Sequence, residues 1–396
     1  MNRPTLEVAD IIRSAGNRFI NRHRNHLSWP QLKVLHAIRN CRTAALGGHL
    51  DRCLRCGRQA ISYNSCRNRH CPKCQTNKRD QWLAQRMQDL LPIPYFHLVF
   101  TLPHDLSGLV LQNKKVLYDL LFRTSAETLL EVAADPAHLG ARIGFLSVLH
   151  TWGQNLMHHP HVHCVIPAGG VAADGSRWIH PRPGFFLPVR VLSKVFRGKF
   201  HAALKNLFRR QKLQFHGLLA SLAEPKMFAK FLRQLFRQEW VVYAKRPFGG
   251  PEHVLHYLAR YTHRVAISNH RLLAFEDDQV TFRWKDYAHG NKKRKMTLST
   301  DEFLRRFLLH ILPRGFTRIR HFGILASRSR SDFVPLCRQL LAHTSAPSSP
   351  TPVARMPVPT SWACPSCGGP MTISERLTPQ QILLRSADRK SFDDTS

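Results

Sequence analysis

His158-His159-Pro160-His161-Val162-His163-Cys164-Val165-Ile166-Pro167 places a cluster of histidines at the head of an apolar run. The run reads as a β-strand. Side chains alternate faces along a strand, so His161 and His163 project together while Val162 turns into the core. Two imidazoles on one face can share a metal ion, to which an adjacent strand adds a third ligand. A surface histidine cluster is the competing reading of the segment taken alone. Upstream, Leu146-Ser-Val-Leu-His-Thr-Trp152 also has strand character and meets the histidines through a few turn residues, which predicts a hairpin. The hairpin would set Gln154, with His150 as the alternative, beside His161 and His163 as third ligand. Gln154 also fits as a plain turn residue.

The 396 residues are 43% apolar, enough for a substantial core divided into two or three units. Lys and Arg outnumber Asp and Glu by 59 to 25, a formal charge of +34. A folded chain this basic repels itself unless a polyanion offsets the charge, and nucleic acid is the usual one. An anionic membrane surface is the rival partner. The chain has no long uncharged apolar span and no signal peptide ahead of its first polar helix, so a soluble, cytoplasmic, nucleic-acid-handling protein without membrane contact is expected.

The ten cysteines are uneven. A disulfide framework belongs to small secreted domains, so metal ligation is the better reading. Cys53-Leu-Arg-Cys56-Gly57 and Cys71-Pro-Lys-Cys74 are two CxxC knuckles whose separation allows one tetrahedral structural Zn²⁺ held by Cys53, Cys56, Cys71 and Cys74. Cys66 is a spare that could substitute for one of them, and His49 and His70 are also left over. Arg67, Arg69 and Lys73 sit among these knuckles as candidate phosphate contacts. A folding staple with solvating cations is the alternative. Cys364-Pro-Ser-Cys367-Gly368 is a further half knuckle whose partner the sequence leaves open.

Around these motifs the chain divides into a helical and zinc-binding unit over 1–94, a catalytic unit with basic helical insertions over 95–343, a Pro/Ser-rich linker over 344–361, and a largely disordered tail over 362–396. Phe96–Leu102 is a predicted strand. Two basic helices between 190 and 240 carry aromatic stripes (Phe196, Phe200; Phe228, Phe231) that read as core. Tyr257 and Tyr261, four residues apart on a predicted helix, share one face. Arg260 and Arg264 beside them, and the run Lys292, Lys293, Arg294, are further candidate DNA contacts.

One chemistry uses all these parts: cutting a single DNA strand with a tyrosine. A phenol with a pKa of about 10 is a poor nucleophile at neutral pH and needs a polarised target or a nearby base. A divalent ion on His161 and His163 would polarise the phosphate.

The motifs Cys53-x-x-Cys56-Gly57, Ser65-Cys-Arg-Asn-Arg-His-Cys-Pro-Lys-Cys74, Tyr95-Phe-His-Leu-Val-Phe-Thr-Leu-Pro103, His150-Thr-Trp-Gly-Gln154, His159-Pro-His-Val-His163 and Tyr257-Leu-Ala-Arg-Tyr-Thr-His-Arg264 resemble, in order, the transposases of the insertion sequence 91 family. These belong to the HUH endonuclease superfamily. The resemblance implies an α+β chain, with an HUH-type catalytic domain built on a central antiparallel sheet flanked by helices and preceded by a small zinc-binding domain. It further implies rolling-circle transposition through single-stranded DNA at the element ends and target, with Tyr257 and Tyr261 forming 5′-phosphotyrosine links in turn. Mg²⁺ or Mn²⁺ would serve catalysis beside structural Zn²⁺, in the bacterial cytoplasm at the nucleoid. A replication initiator or relaxase shares the nick but normally lacks the cysteine-rich front end. A non-catalytic zinc DNA-binding protein would bind without cutting.

Overall fold

The computed structural model describes residues 4–74, 90–248, 266–286, 290, 292–342, 362–387 and 393–394. The predicted linker 344–361 and the segment with Tyr257 and Tyr261 lie outside them.

The chain begins with two helices, α1 (Val8–His23) and α2 (Trp29–Arg39). Ser28 and Gln31 form a reciprocal capping box at the start of α2, with Pro30 in the first turn where its missing N–H costs nothing. Strands β1 (Gly48–Cys53) and β2 (Gln59–Tyr63) follow as a hairpin.

The largest sheet is made of β3 (Tyr95–Thr101), β4 (Gly144–Trp152), β5 (His158–Pro167), β6 (Val242–Phe248) and a late strand, Ile319–Gly323. Helices α3 (Lys114–Ala134), α4 (Val189–Arg209) and α5 (Pro225–Arg237) fall between these strands in sequence. Pairing is antiparallel throughout, in the order late strand, β4, β5, β3, β6, with the predicted β4–β5 hairpin at its centre. Strand alternation gives this sheet two unlike faces. Phe96, Leu98, Phe100, Phe145, Leu149, Val162 and Ile166 point to one side, where they pack on Tyr118 and Phe122 of α3, Phe196 and Phe200 of α4, and Phe228 of α5. Each such side chain, fully buried, contributes about 1.5–3 kcal/mol, which makes this interface the main source of cohesion. The aromatic stripes are thus core, as expected, although Phe236 at the end of α5 stays 45% exposed. On the opposite face Tyr95, Leu146, Val148 and Val165 form a small apolar patch, with Leu90 and Ile319 packed against it.

A second sheet is the meander β7 (Leu272–Glu276), β8 (Gln279–Asp286) and β9 (Lys292–Ser299). Asp277 and Asp278 both take positive φ (48° and 57°), the backbone that a two-residue hairpin turn requires. Helix α6 (Thr300–Leu309) starts where Ser299 Oγ accepts from the Glu302 amide. Its Phe303 and Phe307 join Val280 and Phe282 of β8, Val8 and Ile12 of α1, and Leu35 and Ile38 of α2 in one core. The N-terminal helices are therefore fused to this meander and do not form a detached unit. The late strand of the main sheet, Ile319–Gly323, is β10, and helix α7 (Arg330–Ala342) follows it.

The tail departs from expectation. Residues beyond 362 were predicted to be largely disordered, yet they form β11 (Met371–Leu377) and α8 (Pro379–Ala387). Strand β11 pairs antiparallel with β1, from Gly48↔Leu377 to Cys53↔Met371. Leu50, Ile61, Leu377 and Ile382 close a small core beneath the three strands. A short polar tail looks disordered in isolation because its few apolar residues find their partners only in β1 and β2. Among the described residues no helix is long and apolar enough to cross a membrane.

Candidate functional site

On the face of the main sheet opposite the helical core, three imidazoles meet. His161 and His163 project from β5 on the same side, with Val162 between them fully buried in the helical core, as alternation requires. The β4–β5 register sets His150 directly opposite His161 and Val148 opposite His163. Ring centroids stand 4.2 Å apart for His150 and His163, 5.4 Å for His150 and His161, and 4.9 Å for His161 and His163. One nitrogen from each ring lies within 4.8 Å of the other two, close enough for a shared ion.

The hydrogen bonds around the rings fix which nitrogen is available. His161 Nδ1 donates to the His159 carbonyl at 2.6 Å. His163 Nδ1 is bonded to His97 Nε2 at 2.8 Å, with the two rings stacked 7° from parallel. Both residues would therefore reach an ion through Nε2, and their Nδ1 partners hold the ring orientation, a common arrangement around metal-binding histidines. Burial, with smaller effects from neighbouring cationic groups, pushes His161 and His97 down to about 3 and His163 well below its ordinary value. Neutral imidazoles are what a metal ion needs.

Gln154, the expected third ligand, belongs to the turn. Its carbonyl accepts from Arg271, while Trp152 and His158 close the strand pairing between it and the histidines. His158 lies three positions before His161, about 10 Å along the strand, and the register places His150, the alternative third ligand, opposite His161. His97 was not singled out from sequence. The usable signal was its place in β3, two residues before Val99, which pairs with His163. His158 points to the other side, where its Nε2 meets Tyr118 Oη at 3.0 Å within the core.

The cysteines also group differently from their spacing. The described residues contain two four-thiol clusters: Cys41, Cys66, Cys71 and Cys74; and Cys53, Cys56, Cys364 and Cys367. The two N-terminal knuckles do not share one tetrahedron. The α1–α2 packing delivers Cys41 at the end of α2, and the loop after β2 delivers Cys66, so Cys71 and Cys74 are completed from their own side. Cys41 and Cys66 each lie 3.5 Å from Cys74, S to S. Cys53 and Cys56 are completed by the pair from the tail.

The candidate DNA contacts divide as well. Arg67 is exposed, and Lys292, Lys293 and Arg294 lie along the exposed edge strand β9, with Arg294 also 3.2 Å from Asp286. Half-buried Lys73 pairs with Glu7 at 2.6 Å, and half-buried Arg69 donates to the Phe316 carbonyl at 2.7 Å. These two contacts tie the knuckle to the rest of the fold. Tyr257, Tyr261, Arg260 and Arg264 lie outside the described residues.

Comparison with known proteins gives four matches. A family model described as "Putative transposase" matches residues 144–332, and one described as "Transposase zinc-binding domain" matches residues 11–102. "Putative transposase y4qJ" of Sinorhizobium fredii (strain NBRC 101917 / NGR234) is 56% identical over 349 residues, covering 88% of this chain and 87% of that protein. "Transposase for insertion sequence element IS801" of Pseudomonas savastanoi pv. phaseolicola is 30% identical over 293 residues, covering 73% of this chain and 68% of that protein. No solved structure matches.

Proposed function

We infer that this chain, which belongs to the insertion sequence 91 family of transposases, nicks and rejoins single-stranded DNA through a tyrosine and so moves its element by rolling-circle transposition. The observation that carries the reading is the convergence of His150, His161 and His163 on the sheet face opposite the helical core.

The donor set fits a divalent ion, since both β5 histidines are neutral and held by their Nδ1 atoms. When bound there, the ion would polarise the scissile phosphate and offset charge developing on its oxygens. A set made of imidazoles suits Mn²⁺ better than Mg²⁺, which prefers oxygen ligands. Tyr257 or Tyr261 supplies the nucleophile. Its Oη attacks phosphorus and loses its proton, the P–O3′ bond breaks, and the leaving 3′-oxygen takes up a proton. The products are a 5′-phosphotyrosine link and a free 3′-hydroxyl. Attack by a 3′-hydroxyl on that link reverses the exchange and restores the phenol. The phosphodiester energy is conserved, so rejoining needs no ATP. Cys41, Cys66, Cys71 and Cys74 hold a structural Zn²⁺ in the N-terminal domain. Exposed cations such as Arg67, Lys292 and Lys293 follow the strand's phosphates.

Incubation with Mn²⁺ or Mg²⁺ and single-stranded DNA from the element's ends should give a protein–DNA adduct that survives denaturing electrophoresis. Failure of the wild-type protein to form any adduct overturns the reading. His161→Ala/His163→Ala should bind the same DNA with a Kd within about twofold of wild type, because neither ring faces phosphate as a cation. Its adduct formation should slow by about 10³-fold, the equivalent of several kcal/mol of lost charge stabilisation. Unchanged cleavage in single-turnover assays would remove the metal from the mechanism. His97→Phe should weaken Mn²⁺ binding by about 10- to 100-fold, the usual effect of losing the group that orients a ligating histidine. Isothermal titration reads this directly, and an unaltered affinity would leave His97 without that role.

A further inference from the structure

The two ends of the chain meet at four sulfurs. Cys53 and Cys367 lie 3.5 Å apart and Cys56 and Cys364 lie 3.7 Å apart, S to S. A disulfide requires about 2.05 Å. Four sulfurs about 2.3 Å from a tetrahedral zinc stand roughly 3.8 Å from one another, which is close to what is found.

The two halves are built alike. Each is a Cys-x-x-Cys-Gly knuckle whose glycine takes positive φ, 73° at Gly57 and 69° at Gly368. In each, the glycine amide closes the turn on the first cysteine's carbonyl, at 3.1 Å from Gly57 to Cys53 and 2.9 Å from Gly368 to Cys364. The amides of Arg55 and Cys56 also point at Cys53 Sγ, at 3.4 and 3.5 Å, as donors to a thiolate do. Strand β1 runs into the first knuckle and β11 runs out of the second, and the Leu54 amide bonds the Pro370 carbonyl at 3.0 Å between them. A Cβ on Gly369 would lie 2.7 Å from Arg55 Cβ and 3.3 Å from both Cys53 Sγ and Cys367 Sγ, so this position has no room for a side chain beside the sulfurs. Apart from the sulfurs, the apolar core here contains little more than Ala60 and Met371. With only this and the small Leu50, Ile61, Leu377 and Ile382 cluster beneath them, these short strands are marginal without a cross-link.

We propose that Cys53, Cys56, Cys364 and Cys367 bind a second structural Zn²⁺, which clasps the C-terminal segment 362–387 onto the N-terminal hairpin and makes one zinc ribbon from the two ends of the chain. The site is separate from Cys41, Cys66, Cys71 and Cys74 and does not depend on the nicking mechanism.

Metal content of the purified full-length chain tests this. Cys364→Ser/Cys367→Ser should contain one zinc per chain fewer than wild type, and so should Cys53→Ser/Cys56→Ser. The quadruple variant should lose that same single zinc and no more. Loss of two in the quadruple variant, or of none in Cys364→Ser/Cys367→Ser, overturns the proposal. A second measurement leaves every cysteine in place. With a protease site inserted in 344–361 and cut, the tail fragment should co-elute with the body on gel filtration, and chelation of zinc should release it. Separation while zinc is still bound, or retention after all zinc is removed, would each overturn the clasp.

Discussion

Tyr257→Phe/Tyr261→Phe protein is expected to bind the element's terminal strand normally and to form no covalent adduct. Phenylalanine keeps the ring and removes only the oxygen, so the change isolates the nucleophile from packing and from charge. Nothing else in the proposed exchange supplies an oxygen that would remain attached to the protein. Water could still attack a polarised phosphate, but that route leaves no link and loses the proximity of a tethered nucleophile, which is worth about 7–11 kcal/mol in favourable cases. Residual hydrolysis should therefore be at the edge of detection. Either single substitution should permit one cleavage and block strand exchange, since transfer requires a second covalent link while the first is held. A double variant that forms as much adduct as wild type would remove the tyrosine mechanism while leaving family membership and DNA binding intact.

How far the site could be read from sequence follows from the range of each signal. The His161–His163 pair was legible because strand alternation is local: Val162 between them had to face the core, and it does. The β4–β5 hairpin was legible for the same reason. Its register was not. The irregularity between His150 and Trp152 sets which residue, counted from the turn, stands opposite His161. The hairpin alone brings both Gln154 and His150 towards the histidine pair. The cysteines show the same limit more sharply. CxxC spacing identified the knuckles correctly but carried no information about which knuckles close on each other. That choice belongs to the packing of α1 on α2, which brings Cys41 in, and to the β1–β11 pairing, which brings in the tail. A cation beside a zinc knuckle reads alike whether it faces a phosphate or, as Lys73 and Arg69 do, Glu7 and the Phe316 carbonyl.

That packing also determines what losing the first zinc would do. Cys41, Cys71 and Cys74 are buried in the same core as Val8, Ile12, Leu35, Ile38, Phe303 and Phe307, so the zinc proposed there would be a structural member of the α1–α2–α6 assembly. His70, between the knuckle residues, is 4% exposed, and its Nε2 accepts from the Leu312 amide at 3.1 Å, a further tie to the chain beyond α6. Burial, aided by Arg69, pushes His70 down to about 3, so it stays a neutral acceptor and adds no charge to a crowded cationic region. Structural zinc sites of this kind contribute about 10–16 kcal/mol, against a total stability of about 5–15 kcal/mol for a typical domain. Cys71→Ser/Cys74→Ser should therefore unfold the N-terminal domain together with α6 and the β7–β9 meander, with loss of helical circular dichroism and of DNA binding. Cys364→Ser/Cys367→Ser should leave both nearly intact, because the small core under β11 shares no side chain with that assembly. A thermal midpoint for Cys71→Ser/Cys74→Ser within a few degrees of wild type, where about 1 kcal/mol already moves it by 2–4 °C, would mean that this cluster is held by packing and not by metal.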